Sequence, residues 1–498
     1  MCEYIVKCFY MENDMENTME KTVGMVQALQ QLQKSDDYPF HMPGHKRNME
    51  QHILSHAYGM DITEIDGFDN LHAPEGMILE SMELARTLYG TKKTWFLVNG
   101  STVGILASIY SCVKPGGKIL IARNCHKAVY NAVALLNLEV RYLYPQILSQ
   151  WDMAGSISVE DVKTALEEEQ DIQAVVITSP TYDGFVSPIR EIADVVHEKN
   201  IPLIVDEAHG AHFVFHSAFP ESALQQGADL IIQSIHKTLP AFTQTALLHL
   251  QGSLVSEEKV ARYLSVFQSS SPSYLLMGGI DTCIRLIKDN GDSLWTDILA
   301  KTKMFYERMQ NLKCIRVFSE KFYEKKDILK LIISVKNTRK DEKTYTGQQL
   351  YQELLEGYHL QMEMAADTYV LGILTCMDTE EGLLRLGNAL EEIDNTLTYD
   401  KEIKRVQEQK KKIEYRPKQA ETIASALEQP KRLVDLQNAV GKECGCFLNL
   451  YPPGIPLVVP GEFISEELVK LLIQYKKQGL NLQGLTEDKI MIIDKPFG

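Results

Sequence analysis

The sequence predicts an α/β fold built on a mainly parallel, seven-stranded, doubly wound sheet. Between about residue 94 and residue 250, short apolar runs alternate with segments of helical period. Several of these runs are continuously apolar, which is typical of strands that helices cover on both faces. The seven runs are TWFLVN, KILIAR, VRYLYP, AVVITS, IPLIVDE, DLIIQSIH and ALLHL.

The segments between these runs have recognisable helix starts. Ser158 followed by Asp161 in SVEDVKTALEEE resembles a capping box, and Pro188 precedes IREIADVVHEKN. Each connection is long enough to contain a helix. Strands joined by helices in this way are expected to pair in parallel.

The chain divides into four predicted units. Residues 1–60 form an N-terminal segment, and residues 61–290 form the major domain. Residues 291–400 are predicted to be a smaller α+β domain around two strand candidates, LIISV at 331–335 and YVLGIL at 369–374. Residues 401–498 form a C-terminal domain, which begins with a highly charged run at 401–419 that is either a solvated helix or a linker.

Composition narrows the class of protein. The 498 residues are 45% hydrophobic, enough for two or three domains with cores of their own. Lys and Arg number 51 against 67 Asp and Glu, a formal charge of −16. This charge argues against nucleic acid or an anionic membrane as a partner, and it would attract a cationic substrate.

The sequence also predicts a cytoplasmic protein without a metal site. No apolar stretch approaches the roughly 20 residues of a membrane span, and the acidic start does not fit a signal peptide. The nine cysteines are scattered, so reduced thiols are expected. Cys444 and Cys446 lie close together, but no second Cys or His pair at ligand spacing accompanies them.

Polar clusters follow several of the predicted strands, where ligands bind in such sheets. The first is NGSTVG at 99–104, which opens an apolar helical segment. Backbone N–H groups, the helix dipole and the hydroxyls of Ser101 and Thr102 suit a phosphate there. The pattern is neither a Walker loop nor GxGxxG, so an ordinary N-cap turn is the alternative.

The second cluster is Asp206-Glu207-Ala208-His209, after the strand IPLIVD. A carboxylate buried at the end of a strand needs a partner. The pyridine nitrogen of pyridoxal phosphate would suit Asp206, because an adjacent anion keeps that nitrogen protonated and makes the ring an electron sink. A structural salt bridge is the alternative.

Two further clusters supply an amine and an aromatic ring. Lys237 follows Ser234 and His236 after the strand DLIIQ, where an amine in a crevice can form an imine with an aldehyde; a solvent-exposed lysine is the alternative. His126, after KILIA, could stack on a cofactor ring or act as a helix cap. Together, the four clusters match what one aldehyde cofactor requires.

Four longer motifs resemble the ornithine, lysine and arginine decarboxylases of the aspartate-aminotransferase fold type. They are FHMPGHKRN at 40–48, DITEIDGFDNLHAPEGMI at 61–78, SIHKTLPAFTQTALLH at 234–249 and YPPGIPLVVPGE at 451–462. The resemblance covers most of the chain. Because HMPGHK begins at residue 41, the chain is similar to the short form of the family, without the additional N-terminal regulatory domain.

The resemblance implies pyridoxal 5′-phosphate as the cofactor and a role for each site residue. Lys237 would carry the cofactor as a Schiff base with His236 beside it, and Asp206 would hold the ring nitrogen. His126 would stack on the ring. A homodimer or larger homo-oligomer with shared active sites is also implied. The other implied cofactor-binding residues are Ser101, Thr102, Ala208, His209, Ser234 and, contributed to the neighbouring subunit, Ser271.

The implied reaction is decarboxylation of a basic amino acid to agmatine or a diamine. Lys237 or His236 would protonate Cα after CO₂ leaves. Arginine is favoured by analogy with short forms, and lysine and ornithine stay open. Glu462 is one candidate for the distal cation, with a surface glutamate as the alternative. Other possible functions are an aminotransferase, a carbon–sulfur lyase, a catalytically silent regulator of polyamine metabolism, and a protein of another fold that uses NGSTVG to bind an anion.

Overall fold

The computed structural model describes residues 24–35, 42–43, 46, 55–149, 151, 153–318, 326–400, 416–451, 455–477 and 480–495. Much of the FHMPGHKRN motif, the charged run as far as residue 415, and residues 452–454 of the YPPGIP motif lie outside the described residues. Across the described ranges, no helix is both long and apolar enough to cross a membrane.

Fourteen α-helices and twenty-two strands are described. The helices are α1 (Met25–Lys34), α2 (Ser55–Met60), α3 (Met77–Tyr89), α4 (Gly100–Cys112), α5 (Lys127–Leu135), α6 (Val159–Glu168), α7 (Ile189–His197), α8 (Ile235–Thr238), α9 (Glu257–Phe267), α10 (Tyr274–Met309), α11 (Gly347–Tyr358), α12 (Glu380–Asp394), α13 (Ile423–Glu428) and α14 (Glu466–Lys477). The strands are β1 (Lys93–Leu97), β2 (Lys118–Ala122), β3 (Glu139–Leu143), β4 (Ile147–Leu148), β5 (Met153–Ala154), β6 (Ile172–Thr178), β7 (Leu203–Asp206), β8 (Leu230–Gln233), β9 (Ala246–Leu250), β10 (Arg316–Val317), β11 (Lys330–Ser334), β12 (Thr338–Lys340), β13 (Lys343–Thr344), β14 (Met364–Ala365), β15 (Tyr369–Ile373), β16 (Thr398–Tyr399), β17 (Lys431–Asp435), β18 (Leu448–Tyr451), β19 (Ile455–Val458), β20 (Asn481–Gln483), β21 (Leu485–Thr486) and β22 (Lys489–Ile493).

The central sheet has seven strands in the order β1-β9-β8-β7-β6-β2-β3. These are the seven runs named from the sequence, so the predicted fold class is confirmed. The pairs β2·β3, β2·β6, β6·β7 and β7·β8 are parallel. Only β9 runs the other way, antiparallel to both β8 and β1. Six strands therefore end at the same edge of the sheet.

Helices cover both faces of this sheet. Along β6, Val175 and Ile177 belong to one buried cluster, with residues of α3, α6, α7 and α10. The alternate residues Ala174 and Val176 belong to a second cluster, with residues of α4, α5 and α9. Because both faces are apolar, the strands read as continuous hydrophobic runs. Both predicted helix starts precede a helix, α6 after Ser158 and α7 after Pro188, and Ser158 caps α6 because its Oγ accepts the Asp161 N–H at 3.0 Å.

The smaller domain contains a four-stranded antiparallel sheet in the order β10-β11-β15-β14. Its two inner strands, β11 and β15, confirm the candidates LIISV and YVLGIL. Helix α10 is 36 residues long and runs through residue 290, where the sequence analysis divides the major and small domains. This helix therefore belongs to both units, and the domain limits stay predictions.

The loop at 61–78 is held by one carboxylate. Asp69 accepts the backbone N–H groups of Glu75, Gly76 and Ile78, each at 2.9 Å, at the start of α3. His72 in the same loop donates from Nε2 to the Ser269 carbonyl at 2.8 Å. The DITEIDGFDNLHAPEGMI motif thus satisfies backbone N–H groups at the N-terminus of α3 and forms a hydrogen bond to the loop that contains Ser269.

The C-terminal part has a core of its own and docks on the central sheet. Its strands form two three-stranded antiparallel sheets, and Leu468 of α14 packs in the same buried cluster as Val458 and Ile490. Ile423 and Val459, by contrast, belong to the core beneath the central sheet. These two residues form an apolar junction between the parts.

A buried ion pair crosses that junction. Arg123, just after β2, donates from its two terminal nitrogens to both carboxylate oxygens of Glu462 at 2.7 and 2.8 Å. The Glu462 side chain is 0% exposed and that of Arg123 is 8% exposed. Glu462 is therefore a structural residue, and the suggestion that it binds a distal substrate cation is wrong. Its carboxylate is already neutralised by Arg123.

Replacing Glu462 by Gln is expected to destabilise the protein strongly. A neutral amide would leave the Arg123 guanidinium buried without its counter-charge, which costs about 3–5 kcal/mol. The matched control is Glu466→Gln, since Glu466 forms an exposed pair with Lys470 at 2.7 Å and its loss should leave the unfolding midpoint unchanged. Denaturant unfolding compares the variants, and equal midpoints for E462Q and wild type would contradict this account.

Candidate active site

One edge of the central sheet collects the polar residues that the sequence analysis selected. The NGST turn follows β1, and His126 follows β2. Asp206 is the last residue of β7, and Ser234 follows β8. Strand β9 begins at the same edge because it runs in the opposite direction. The residues come together because parallel strands end side by side.

The NGST turn forms the N-terminus of α4, as predicted. Gly100 has a φ of +74°, a left-handed conformation that favours glycine, and its N–H donates to the Gln244 carbonyl at 2.8 Å. Ser101 Oγ lies 2.5 Å from Ser234 Oγ. Thr102 is exposed at the same helix end. Two hydroxyls from different strand ends therefore converge beside a helix N-terminus.

Lys237 lies half-buried in the short helix α8. Burial lowers the pKa of its ammonium group, and the negative charges of Asp206 and Glu363 partly oppose that shift. Its Nζ lies 3.2 Å from His209 Nε2. The amine is thus biased toward its neutral, nucleophilic form.

Asp206 is 3% exposed and accepts a hydrogen bond from the Ala208 N–H at 3.2 Å. Burial raises the pKa of its carboxyl, while the positive charges of Lys237 and His126 oppose the shift. The salt-bridge alternative would require a bonded cation. Asp206 forms no ion pair with any of the described residues, so its carboxylate remains available to a cation of a bound ligand.

Two histidines flank this carboxylate and the lysine. His126 caps α5, since its Nδ1 accepts the Ala128 N–H at 3.2 Å, and this is the cap alternative of the sequence analysis. His236 Nδ1 lies 2.7 Å from the Thr245 carbonyl, which can only accept, so Nδ1 carries the proton. Burial lowers the pKa of both imidazoles, which are therefore neutral near pH 7.

The loop containing Ser271 lies beside the NGST turn of the same chain. Ser269 donates its N–H to Asn99 Oδ1 at 3.0 Å, and Ser271 donates its N–H to Ser269 Oγ at 3.2 Å. Ser271 itself is exposed. Its contribution to a neighbouring subunit stays a prediction.

Three residues of this region were missed by sequence reasoning. Lys330 enters β11 fully buried, with its Nζ 2.8 Å from His209 Nδ1 and 5.6 Å from the centre of the Tyr182 ring. Tyr182 donates its hydroxyl to Glu363. A lysine at the head of the apolar run LIISV was the one signal in the sequence. Its burial depends on the packing of the small sheet against the major domain.

The cysteine pair lies away from this site. Cys444 Sγ contacts the Cys446 carbonyl at 3.1 Å within the C-terminal part. In the portion of the chain that the structure describes, no group of three or more His, Cys, Asp or Glu side chains could hold a metal ion.

The chain matches the models of two protein domains. Residues 24–362 match the Orn/Lys/Arg decarboxylase major domain, and residues 400–488 match the Orn/Lys/Arg decarboxylase C-terminal domain. The arginine decarboxylase of Bacillus subtilis (strain 168) is 30% identical over 465 residues, 91% of this chain and 94% of that protein. The uncharacterized protein YaaO of the same strain is 33% identical over 470 residues, 92% and 95% of the two chains.

A solved structure supports the fold independently. The constitutive lysine decarboxylase of E. coli superposes with a TM-score of 0.80 at 18% identity, covering 95% of this chain and 82% of that one. At this identity the likeness concerns the fold alone. Because the two domain models together span most of the sequence, the chain belongs to the Orn/Lys/Arg decarboxylase family and is a decarboxylase.

Proposed function

We propose that this protein is a pyridoxal-phosphate-dependent decarboxylase of basic amino acids, with arginine as the favoured substrate and agmatine as the product. The observation that carries the proposal is the convergence of Lys237, Asp206 and the Ser101–Ser234 pair at one sheet edge. Family membership favours decarboxylation over the aminotransferase and carbon–sulfur lyase alternatives. Arginine is favoured by the name of the B. subtilis relative, and lysine by that of the E. coli structure.

The residues present fit pyridoxal 5′-phosphate. The helix end with Ser101, Thr102 and Ser234 offers donors to a phosphate. Asp206 is a buried carboxylate suited to a cationic ring nitrogen, and Lys237 offers an amine to the aldehyde. When bound, this cofactor supplies an electron sink for the electrons left at the substrate Cα when CO₂ departs.

The protein groups divide the remaining work. Asp206 would keep the ring nitrogen protonated, and His126 would stack on the ring from its place at the cap of α5. Ala208 donates its backbone N–H to Asp206 and so orients the carboxylate. His209 offers a ring nitrogen to Lys237.

The geometry favours Lys237 over His236 as the donor of a proton to Cα. His236 is neutral and its one N–H, at Nδ1, is bound to the Thr245 carbonyl. Its other nitrogen, Nε2, therefore carries a lone pair and accepts rather than donates. The Lys237 amine, by contrast, can carry a proton at Nζ and donate it to the substrate Cα.

An exposed carboxylate suits the distal cation of the substrate. Glu363 is exposed, and its negative charge acts on both Lys237 and Lys330. Tyr182 donates to it and so restrains it near the site. We infer that Glu363 pairs with the guanidinium or ammonium end of the substrate, in the role that the sequence analysis considered for Glu462.

We also propose a homodimer, or a larger homo-oligomer, with shared active sites. The exposed Ser271 beside the NGST turn supports a site close to the molecular surface. A cytoplasmic location stays a prediction from the sequence.

Removing either phosphate-binding hydroxyl should weaken cofactor affinity. Each of Ser101→Ala and Ser234→Ala should raise the Kd for pyridoxal phosphate about 10- to 100-fold, because a hydrogen bond to a charged group is lost. Ser108→Ala is the matched control, since its hydroxyl bonds the Gly104 carbonyl inside the same helix, α4. Fluorescence titration measures the Kd, and unchanged affinity in both site variants would contradict the phosphate assignment.

Lys237→Ala should abolish turnover. The amine that attaches the cofactor would be missing, so after borohydride reduction the mass of the cofactor should be found on the Lys237 peptide of the wild type and of the control, and not on the corresponding peptide of K237A. Lys118→Ala is the control, because Lys118 begins β2 at the opposite edge of the sheet and pairs with Glu169 there. Peptide mass spectrometry gives the readout. Turnover retained by K237A would contradict the assignment of Lys237 as the amine that attaches the cofactor.

When arginine, lysine and ornithine are supplied separately, decarboxylation of arginine to agmatine should have the highest kcat/KM. Mass spectrometry identifies the products. If kcat/KM is higher for the formation of cadaverine from lysine or of putrescine from ornithine, the arginine assignment is wrong.

Glu363→Gln should lower kcat/KM for arginine about 10- to 100-fold through a higher KM, since a charge-assisted contact is lost. Glu356→Gln removes an exposed carboxylate of α11 and is the control. If E363Q keeps the wild-type KM for arginine, the distal cation of the substrate binds elsewhere.

A further inference from the structure

A second lysine lies behind the active-site lysine, with one histidine between them. His209 Nε2 is 3.2 Å from Lys237 Nζ, and its Nδ1 is 2.8 Å from Lys330 Nζ. Lys330 comes from β11 of the small sheet, whereas the other two residues come from the major domain. The three side chains form one continuous hydrogen-bonded chain across the domain boundary.

A neutral His209 must donate a hydrogen bond to one of the two lysines and accept a hydrogen bond from the other. Burial and the positive charge of Lys330 lower the pKa of His209 far below its ordinary value, so the imidazole is neutral and has one N–H and one lone pair. An ammonium group can only donate. A charged Lys330 therefore requires the lone pair of His209 at Nδ1, and the proton must lie at Nε2.

Lys330 does remain charged near neutral pH. Burial lowers its pKa to about 8, and the charge of Lys237 acts in the same direction. The carboxylates of Asp327, Glu363 and Asp183 oppose the shift. A group with a pKa of about 8 is mostly protonated at pH 7, so it donates to His209.

The pocket around Lys330 is closely fitted to its stem. Gly184 has a φ of +94°, and a Cβ at that position would lie 2.7 Å from Lys330 Cγ. The ring of Tyr182 faces the ammonium group, with Nζ 5.6 Å from its centre. The lysine is thus held in one place by packing as well as by charge.

We propose that Lys330 is a positioning residue that fixes the tautomer of His209, so that His209 donates from Nε2 to the unprotonated amine of Lys237. A hydrogen bond donated to Lys237 stabilises its neutral form and disfavours its ammonium form. Without Lys330 the imidazole can move its proton to Nδ1 and accept from a charged Lys237 instead. The other charged or titratable groups that face these three hydrogen-bonded side chains are Asp206, Glu363, His126 and His236.

The inference rests on the proposed function, because it concerns Lys237 as the reactive amine, but its test needs neither cofactor nor substrate. The full-length protein, freed of cofactor, is acetylated with trace acetic anhydride from about pH 6 to about pH 10. Mass spectrometry of the Lys237 peptide gives the pH profile of its reactivity. A failure of decarboxylation would leave this result untouched, so the two proposals fail separately.

Lys330→Met should move the Lys237 profile about one pH unit higher and reduce labelling at pH 7 about tenfold. Lys330→Arg keeps a fixed charge and a donor, so its profile should lie no higher than that of the wild type. Lys336→Met is the matched control, because Lys336 is also buried and donates to the Ser149 carbonyl at 2.8 Å, away from the site.

A double-variant comparison tests the route through His209. In a His209→Leu background, adding Lys330→Met should shift the Lys237 profile far less than in the wild type. A K330M profile that coincides with that of the wild type would overturn the proposal. The same holds for an undiminished shift in the His209→Leu background, which would mean that charge alone acts. If K330M does not fold, a K330R profile displaced to higher pH overturns it as well.

Discussion

The site depends on the common direction of six strands in the central sheet. Parallel pairing from β3 through β8 brings the carboxyl ends of β2, β7 and β8 to one edge, and β9 reverses so that β1 ends there too. The residues after these strands are up to 138 positions apart in the chain, from Asn99 to Lys237. Their meeting is a property of topology and of no single segment.

Burial gives this edge its chemistry. Burial disfavours the charged form of an ionisable group. Here it lowers the pKa of the Lys237 ammonium and of the neighbouring imidazoles, and it raises the pKa of the Asp206 carboxyl. The groups then depend on one another for stabilisation. Burial lowers the pKa of the Lys237 amine, so its neutral, nucleophilic form is favoured more here than it would be for a lysine on the surface.

Other buried charges serve the assembly of the domains. Arg123 and Glu462 form their ion pair at the junction with the C-terminal part, and Arg123 is only three residues from His126. Lys330 reaches His209 from the small sheet. The site edge is therefore braced from two sides by charged groups from later parts of the chain. The motif YPPGIPLVVPGE ends at Glu462, so its last residue joins the C-terminal part to the residues that follow β2.

The sequence alone determined the seven strands, the cap at Ser158 and the separate polar clusters that contain Asp206 and Lys237, because hydrophobic periodicity and local polar patterns indicate them directly. It misjudged Glu462 and overlooked Lys330 and Glu363. A charged residue reads the same in sequence whether it is solvated or buried, and its partner is distant in the chain. Only the packing of the small sheet and the C-terminal part on the major domain decided which of these charges lost its water and which group replaced it.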